Sequence, residues 1–305
     1  MSKLLTTLLL TLCLSVGAAW AGDLEDGDAA LARKDYVTAL KKYKSDSANK
    51  DAFAQLQIGN IYAYGLGVMQ DYSEAVRWYK LAAAQKLALA QMMLGTLYSH
   101  GRGVVKDDVE AVQWHKLAAA QGNAASQFNL GVMYSDGRGA VKDDVEAVRW
   151  YKLAAAQGFA SAQFNLGHKY YSGQGVTQNY AEAMRWYKSA GAQGHASAQY
   201  SLGNGYLEGR GVALDYAEAV RWYKLAAAQG DVAAQTNLGT NYAKGQGVAQ
   251  DYTRAHMWLD LAAAKGQPSA VKNRDIAAKR MTPQQIAEAQ KLARECQARN
   301  FKNCD

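Results

Sequence analysis

Histidine, serine and cysteine side chains are the residues most able to do chemistry in this sequence, and their spacing does not point to one site. The five histidines are His100, His115, His168, His195 and His256. No two of them have the His-x-x-x-His spacing of a zinc site. A Gly-x-Ser-x-Gly nucleophile motif is missing, and so is a Ser-x-x-Lys motif with its supporting motifs. The sequence therefore predicts no catalytic residue, no metal site and no cofactor.

A second candidate for chemistry is a glycine-rich turn that resembles a phosphate-binding loop. Gly65-Leu66-Gly67-Val68 returns as Gly-Arg-Gly-Val at 101–104 and 209–212, and as Gly-Gln-Gly-Val at 173–176 and 245–248. A phosphate-binding glycine loop follows a strand and occurs once in its domain. Here no predicted strand precedes the motif, and it recurs along the chain. We therefore expect ordinary turns, in which glycine permits positive φ angles.

These turns belong to a repeat of 36 residues that occurs six times between residues 51 and 266. Four columns of identical residues define the repeat, and we refer to each column by its first member. They are Gly59, 95, 131, 167, 203 and 239; Tyr62, 98, 134, 170, 206 and 242; Gln55, 91, 127, 163, 199 and 235; and Trp78, 114, 150, 186, 222 and 258. A period of this length is typical of a solenoid.

Each repeat is predicted to contain two helices. Ala54, Ile58 and Tyr62 recur every four residues and predict a first helix from about 52 to 64. Glycine inside a helix costs about 1 kcal/mol relative to alanine, so the Gly59 column predicts close approach of a neighbouring helix. Asp71, followed by Glu74, predicts a capping box at the start of a second helix. Apolar residues cover most of that helix, which predicts burial on two sides by the adjacent repeats.

The combination of Leu-Gly, Tyr, Gly-x-Gly-Val, Asp, Ala, Trp-Tyr and Ala-Ala at this spacing resembles the Sel-one-like repeat (SLR), a relative of the tetratricopeptide repeat. The resemblance covers residues 51–266. It implies an all-α fold, an α/α right-handed superhelix, or solenoid, of tetratricopeptide-like helix-turn-helix repeats. Two departures from the repeat are the displaced valine at Val141 and a glycine, Gly191, where other repeats carry alanine.

The segments outside the repeats have separate predicted roles. Residues 1–21 have a basic start, an apolar run and an Ala19-Trp20-Ala21 ending, which predict a signal peptide cleaved after Ala21. Residues 22–50 predict a degenerate capping helix pair with a short turn. In residues 267–305, Pro268 is expected to close the last repeat, and Thr282-Pro283 to begin a final capping helix with a basic tail.

Export and the distribution of charge limit the classes of partner that we expect. A mature exported chain keeps two cysteines, Cys296 and Cys304, which are predicted to form a disulfide. Of the net charge of +7, the segment 265–305 carries nine Lys/Arg and four Asp/Glu. A basic end can attract acidic partners or a membrane surface, but a confined charge on an exported chain argues against nucleic acid. We expect a periplasmic or secreted protein without a transmembrane anchor, in an oligomeric state that stays open.

Candidate binding residues are expected where the repeats differ. On the first helix, positions 53, 57, 60 and 64 lie opposite the Ala54–Tyr62 face and should form an exposed stripe, which in related solenoids lines the concave groove. Amide side chains there can bind the backbone of an extended peptide. An exposed stripe that is simply polar is the alternative. The candidate groove residues are Gln57, Asn60, Met93, Thr96, Asn129, Asn165, His168, Ser201, Asn204, Asn237 and Thr240.

The resemblance implies a non-catalytic adaptor that brings other proteins together in the cell envelope, with a protein or peptide partner in the groove. An alternative is a β-lactam-binding or β-lactam-hydrolysing enzyme, because cysteine-rich SLR relatives have been linked to that chemistry. Those relatives carry a disulfide in every repeat. Residues 51–266 of this chain contain no cysteine, so the scaffold function is the prediction that we carry forward.

Overall fold

The computed structural model describes residues 23–48 and 50–304, which form α-helices joined by turns and include no strand. The predicted signal peptide lies outside the described residues. The chain divides after Gln121 into two compact units. The helices of the first unit are α1 (Asp23–Ala32), α2 (Tyr36–Ala48), α3 (Ala52–Tyr64), α4 (Tyr72–Ala84), α5 (Ala88–His100) and α6 (Asp108–Ala120).

The second unit continues the same alternation of helices. Its helices are α7 (Ala124–Asp136), α8 (Asp144–Ala156), α9 (Ala160–Ser172), α10 (Tyr180–Ala192), α11 (Ala196–Glu208), α12 (Tyr216–Ala227), α13 (Val232–Lys244), α14 (Tyr252–Ala263), α15 (Pro268–Ala278) and α16 (Pro283–Ala298). Within each unit, the two helices of a repeat pack together, and the second helix also packs on the first helix of the next repeat. This confirms the predicted all-α fold of stacked helix-turn-helix repeats.

Four of the six mid-helix glycines in the Gly59 column make room for a tyrosine ring of the second helix in the same repeat, whereas Gly95 meets the His115 ring and Gly239 meets Leu259. A Cβ atom added to Gly131 would lie 2.5 Å from the Tyr151 ring, which is buried. The same contact joins Gly59 to Tyr79, Gly167 to Tyr187 and Gly203 to Tyr223. The predicted close approach is therefore confirmed, and its cause in these repeats is a tyrosine ring packed against the glycine.

Within each unit, the second glycine of several turns lies against backbone of the preceding repeat. Gly175 has a φ of +72°, and an added Cβ atom would lie 2.1 Å from the carbonyl oxygen of Asp144. Gly247 meets the carbonyl oxygen of Tyr216 at the same distance. Because the contact is with backbone, no side-chain movement can relieve it. The Gly-x-Gly motif therefore sets the spacing between adjacent repeats.

The glutamine column also joins adjacent repeats. Gln163 Nε2 donates to the Ala155 carbonyl oxygen of the preceding repeat at 3.2 Å, and Gln163 Oε1 accepts from Gln193 Nε2 at 2.8 Å. Gln91 and Gln199 make the equivalent pairs of bonds. Buried amide groups need such partners, since an unpaired polar group in a core is costly. The regular recurrence of glutamine thus has a structural cause.

The predicted capping box at Asp71 is only half formed. The Asp71 carboxylate accepts from the Glu74 backbone N–H at 3.0 Å. The Glu74 carboxylate does not return to the cap and accepts instead from Trp78 Nε1 at 2.9 Å. The reason is that the Asp71 backbone N–H already donates to the Tyr62 carbonyl oxygen across the turn, at 2.9 Å. Closure of the turn therefore takes the place of the second bond of the box.

The chain ends differ in part from the prediction. Pro268 begins a helix, α15, so two helices follow the last repeat where one was expected. A complete capping box occurs at Thr282, which exchanges hydrogen bonds with Gln285 at the start of α16. A disulfide joins Cys296, near the end of α16, to Cys304 beyond this helix. At the other end, α1 and α2 reproduce the ring-on-glycine contact between Gly27 and Tyr43.

Two glycine-to-alanine changes in the second unit should have opposite effects on stability. We expect Gly131→Ala to lower the free energy of unfolding by about 2 to 3 kcal/mol, because the new methyl overlaps the buried Tyr151 ring. At Gly191 the nearest atom is the flexible end of Leu202, 2.9 Å away. We expect Gly191→Ala to raise the free energy of unfolding by about 0.5 kcal/mol through helix propensity.

Urea unfolding followed by circular dichroism measures both variants against the unchanged chain. Equal losses of stability in the two variants would contradict the conclusion that the contact between Gly131 and Tyr151 sets the distance between the two helices of the repeat.

Candidate functional site

The histidines do not converge on a site in the structure. His115 is buried against Gly95, and burial lowers its pKa from 6.5 to about 4, with a smaller contribution from His100. His256 is also buried, which lowers its pKa. In residues 23–48 and 50–304, no three His, Cys, Asp or Glu side chains are placed to hold a metal ion. His115 therefore belongs to the core, in the place that Tyr79 and Tyr151 occupy in other repeats.

In the first unit, the predicted exposed stripe is partly wrong. Gln57 and Met93 are only 3% and 8% exposed. Met93 packs in an apolar cluster with Leu56, and Gln57 Oε1 accepts from Asn60 Nδ2 at 2.9 Å. Long side chains at this position fold inward and pack, so they present no groups to a partner. Thr96 is half-buried, and its hydroxyl bonds to the Met92 carbonyl oxygen of its own helix.

In the second unit, the predicted positions form a half-buried polar surface on α7, α9, α11 and α13. We call it the amide face, and its members are Asn129, Asn165, His168, Ser201, Asn204, Asn237 and Thr240. His168 is exposed and the other six are half-buried. The sequence predicted an exposed position for all seven residues, and this holds only for His168. It did not identify what they bond to within the protein.

The buried tyrosines reach the amide face with their hydroxyl groups. Tyr223, which lies on Gly203, donates to Asn204 Oδ1 at 2.6 Å, and Asn237 Nδ2 donates to the same oxygen at 3.2 Å. Burial raises the pKa of Tyr151 to about 12, and it raises that of Tyr223 too. The hydroxyls therefore stay protonated and act as donors. This arrangement fixes the orientation of the amides from below.

Aromatic side chains beside the amide face were missed by the sequence reasoning. Phe128, Phe164 and Tyr200 occupy the same position in three consecutive first helices and are half-buried. The Phe128 ring lies 5.2 Å from that of Phe159, and the Phe164 ring stacks on His195 at 4.8 Å. The available signal was the change at this repeat position from Leu56 and Met92 in the first two repeats to aromatic residues.

One repeat carries a buried ion pair that the sequence reasoning also missed. Lys169 on α9 is 7% exposed, and its Nζ lies 2.6 Å from Asp144 Oδ1 and 2.8 Å from Ser135 Oγ. The hydrogen bond from Lys169 lowers the pKa of Asp144. Other repeats place Leu97 or Met133 at the position of Lys169. This part of the repeat therefore accepts a cation when a carboxylate is supplied opposite to it.

Comparison with known proteins identifies the repeat. The Sel1 repeat family matches residues 52–87, 88–123, 124–159, 160–195, 196–231 and 232–267. A Sel1 repeat protein from Oxalobacter formigenes is 33% identical, with a TM-score of 0.71 over 80% of this chain and 97% of its own. A protective antigen of uropathogenic Escherichia coli strains, which displays an SLR fold, is 29% identical, with a TM-score of 0.61 over 92% of this chain and 69% of its own. Comparison with curated proteins gives no significant match.

The buried His115 should make the first unit sensitive to mild acid. Its pKa is about 4 in the folded chain and 6.5 when exposed, so between these values the unfolded chain binds more protons and falling pH favours unfolding. From pH 7.5 to pH 5 this single group should remove about 2 kcal/mol of stability.

His115→Tyr, which installs the residue found at this position in four of the other five repeats, should abolish the loss of stability that His115 causes. Urea unfolding of both proteins at pH 7.5 and 5.0 measures it, because every other titrating group is common to the two chains. An unchanged pH dependence in the variant would show that His115 is not the group responsible.

Proposed function

Because the chain belongs to the Sel1 repeat family, we propose that it is a non-catalytic scaffold of the cell envelope that binds a protein or peptide partner along the amide face of its second unit. Proteins built from Sel1 repeats generally serve protein interactions and not catalysis. The proposal extends that general role to a particular surface of this chain.

The observation that carries the proposal is the pairing of amide groups with half-exposed rings on consecutive first helices. Asn129 and Phe128 are neighbours on α7, and Asn165 and Phe164 are neighbours on α9. Aromatic rings provide large, rigid contact area, and they are enriched where interfaces hold their binding energy. Amides can donate to and accept from a peptide backbone. The amide face thus combines the two kinds of contact that an extended segment requires.

Internal hydrogen bonds orient groups on the amide face, and burial of two predicted residues limits its extent. Tyr223 and Asn237 both donate to Asn204 Oδ1, so the Asn204 and Asn237 amides are held in place before a partner arrives. Groups held in their binding orientation lose less entropy on association. Gln57 and Met93 are buried, so we restrict the proposed partner surface to the second unit.

Export remains part of the proposal. The disulfide between Cys296 and Cys304 suits an oxidising compartment. None of the helices described for residues 23–48 and 50–304 has the length and apolarity needed to cross a membrane. Cleavage after Ala21, with residence in the periplasm or release from the cell, accounts for the disulfide and for the apolar start of the chain.

Site-specific photo-crosslinking in the native host tests the proposal. A benzoylphenylalanine residue at His168 should give a discrete adduct, because this side chain is exposed on the amide face and its replacement leaves the core packing unchanged. The matched control is the same residue at Lys188, which is exposed on the second helix α10. Mass spectrometry of the adduct should also recover a peptide that begins at Gly22.

An adduct of equal yield and identity from Lys188 would contradict binding at the amide face. Recovery of residues 1–21 in the adduct would contradict export with cleavage.

A further inference from the structure

A cleft opens between α11 and α13, at the end of the amide face that is nearest to the C-terminus of the chain. Its volume is about 250 Å³, and its walls include Leu207 of α11, Tyr216 of α12, and Asn237, Thr240, Asn241 and Lys244 of α13. Two of these residues, Asn237 and Thr240, belong to the amide face. The cleft therefore continues the surface proposed for the partner, and the inference below rests on that proposed function.

Asn241 lacks the hydrogen bond that its neighbours in the cleft possess. It is 3% exposed, and its Nδ2 atom is buried without a partner among the described residues. In contrast, Asn237 Nδ2 donates to Asn204 Oδ1, and Thr240 Oγ1 accepts from Asn273 Nδ2 at 3.1 Å. A buried donor without an acceptor is unfavourable, so a native structure that keeps one calls for an explanation.

Another repeat of the chain shows which interaction can form at the position of Asn241. Asn241 occupies the repeat position of Lys169, exactly two repeats further along the chain. Lys169 Nζ is bonded there to the Asp144 carboxylate and to Ser135. At the cleft, the positions of Ser135 and Asp144 are taken by Leu207 and Tyr216. The repeat that contains the cleft thus lacks the carboxylate that pairs with Lys169. Asn241 is also shorter than lysine and leaves space at this position.

The charge of the cleft favours a carboxylate from outside. Lys244 is exposed at its edge and makes no ion pair with any described residue. None of the residues that line the cleft is acidic. A cation and an unmet amide donor together suit an anionic acceptor, because charge-assisted hydrogen bonds are stronger than neutral ones.

We propose that this cleft binds the side-chain carboxylate of an aspartate or glutamate in an extended segment of the partner, with Asn241 Nδ2 and Lys244 Nζ as the donors. We choose a side-chain carboxylate over that of a chain end because the carboxylate bound at the equivalent position by Lys169 is the side chain of Asp144. The remaining contacts of the segment then lie along Asn237 and Thr240 toward α11.

The test uses the full chain and small blocked amino acids as probes. The probes are N-acetyl-glutamate amide, the neutral N-acetyl-glutamine amide, and N-acetyl-glycine, whose carboxylate is that of a chain end. Titrations are followed by the side-chain amide resonances of Asn241 in ¹H–¹⁵N spectra. We expect the blocked glutamate to shift these resonances saturably and to bind at least 5-fold tighter than either other probe.

Three variants complete the test. Lys244→Ala should weaken binding of the blocked glutamate at least 5-fold, and Asn241→Leu, which installs the residue found at Leu97, should abolish it. Asn241→Leu should also raise the melting temperature, since it removes an unmet donor. Lys188→Ala, at a surface lysine of α10, should leave binding unchanged.

Equal binding of the blocked glutamate and glutamine, or full binding by Lys244→Ala, would overturn the proposal. Tighter binding of N-acetyl-glycine would overturn the side-chain source. If no probe binds while His168 still crosslinks a partner, the carboxylate site fails and the proposed function stands.

Discussion

The structure depends on one contact, in which an aromatic ring of the second helix packs against a glycine of the first. In the third repeat, Tyr151 comes so close to the Gly131 backbone that a methyl group in place of the glycine hydrogen would overlap the ring. This contact sets the distance between the two helices of a repeat. Because a tyrosine makes the same contact in three other repeats, similar repeats can stack within a unit. The Gln163 bond and the turn glycine Gly175 then join the fourth repeat to the third.

The same ring links the core to the surface. Its apolar body is buried on the glycine, and its hydroxyl emerges beneath the amide face, where Tyr223 donates to Asn204. A phenol is suited to this role because one end of it packs and the other donates. The amides that we propose for binding are therefore oriented by the residue that holds the repeat together. Departures from the repeat, such as Lys169 and Asn241, then create local differences beneath this surface.

The sequence predicts the repeats well because their period and glycine columns are local and recur. It fails where the outcome depends on how far a side chain reaches. A helical projection places Asn60 and Gln57 on one face, but it does not show that the Tyr79 hydroxyl reaches Asn60 or that Gln57 folds inward. It likewise places Glu74 correctly for a capping box. In the structure the second bond of the box does not form, because the Asp71 N–H already donates to the Tyr62 carbonyl oxygen of the turn.

Hydroxyl-radical footprinting of the full chain, with and without concentrated extract of the native host, tests most directly whether the amide face is the binding surface. The account predicts that partner binding lowers the oxidation of Phe164, His168 and Tyr200 and leaves Leu153 and Leu225, which are exposed on second helices, unchanged. Protection of Leu153 and Leu225, with unchanged oxidation of Phe164, His168 and Tyr200, would place the partner on the second helices and contradict the account.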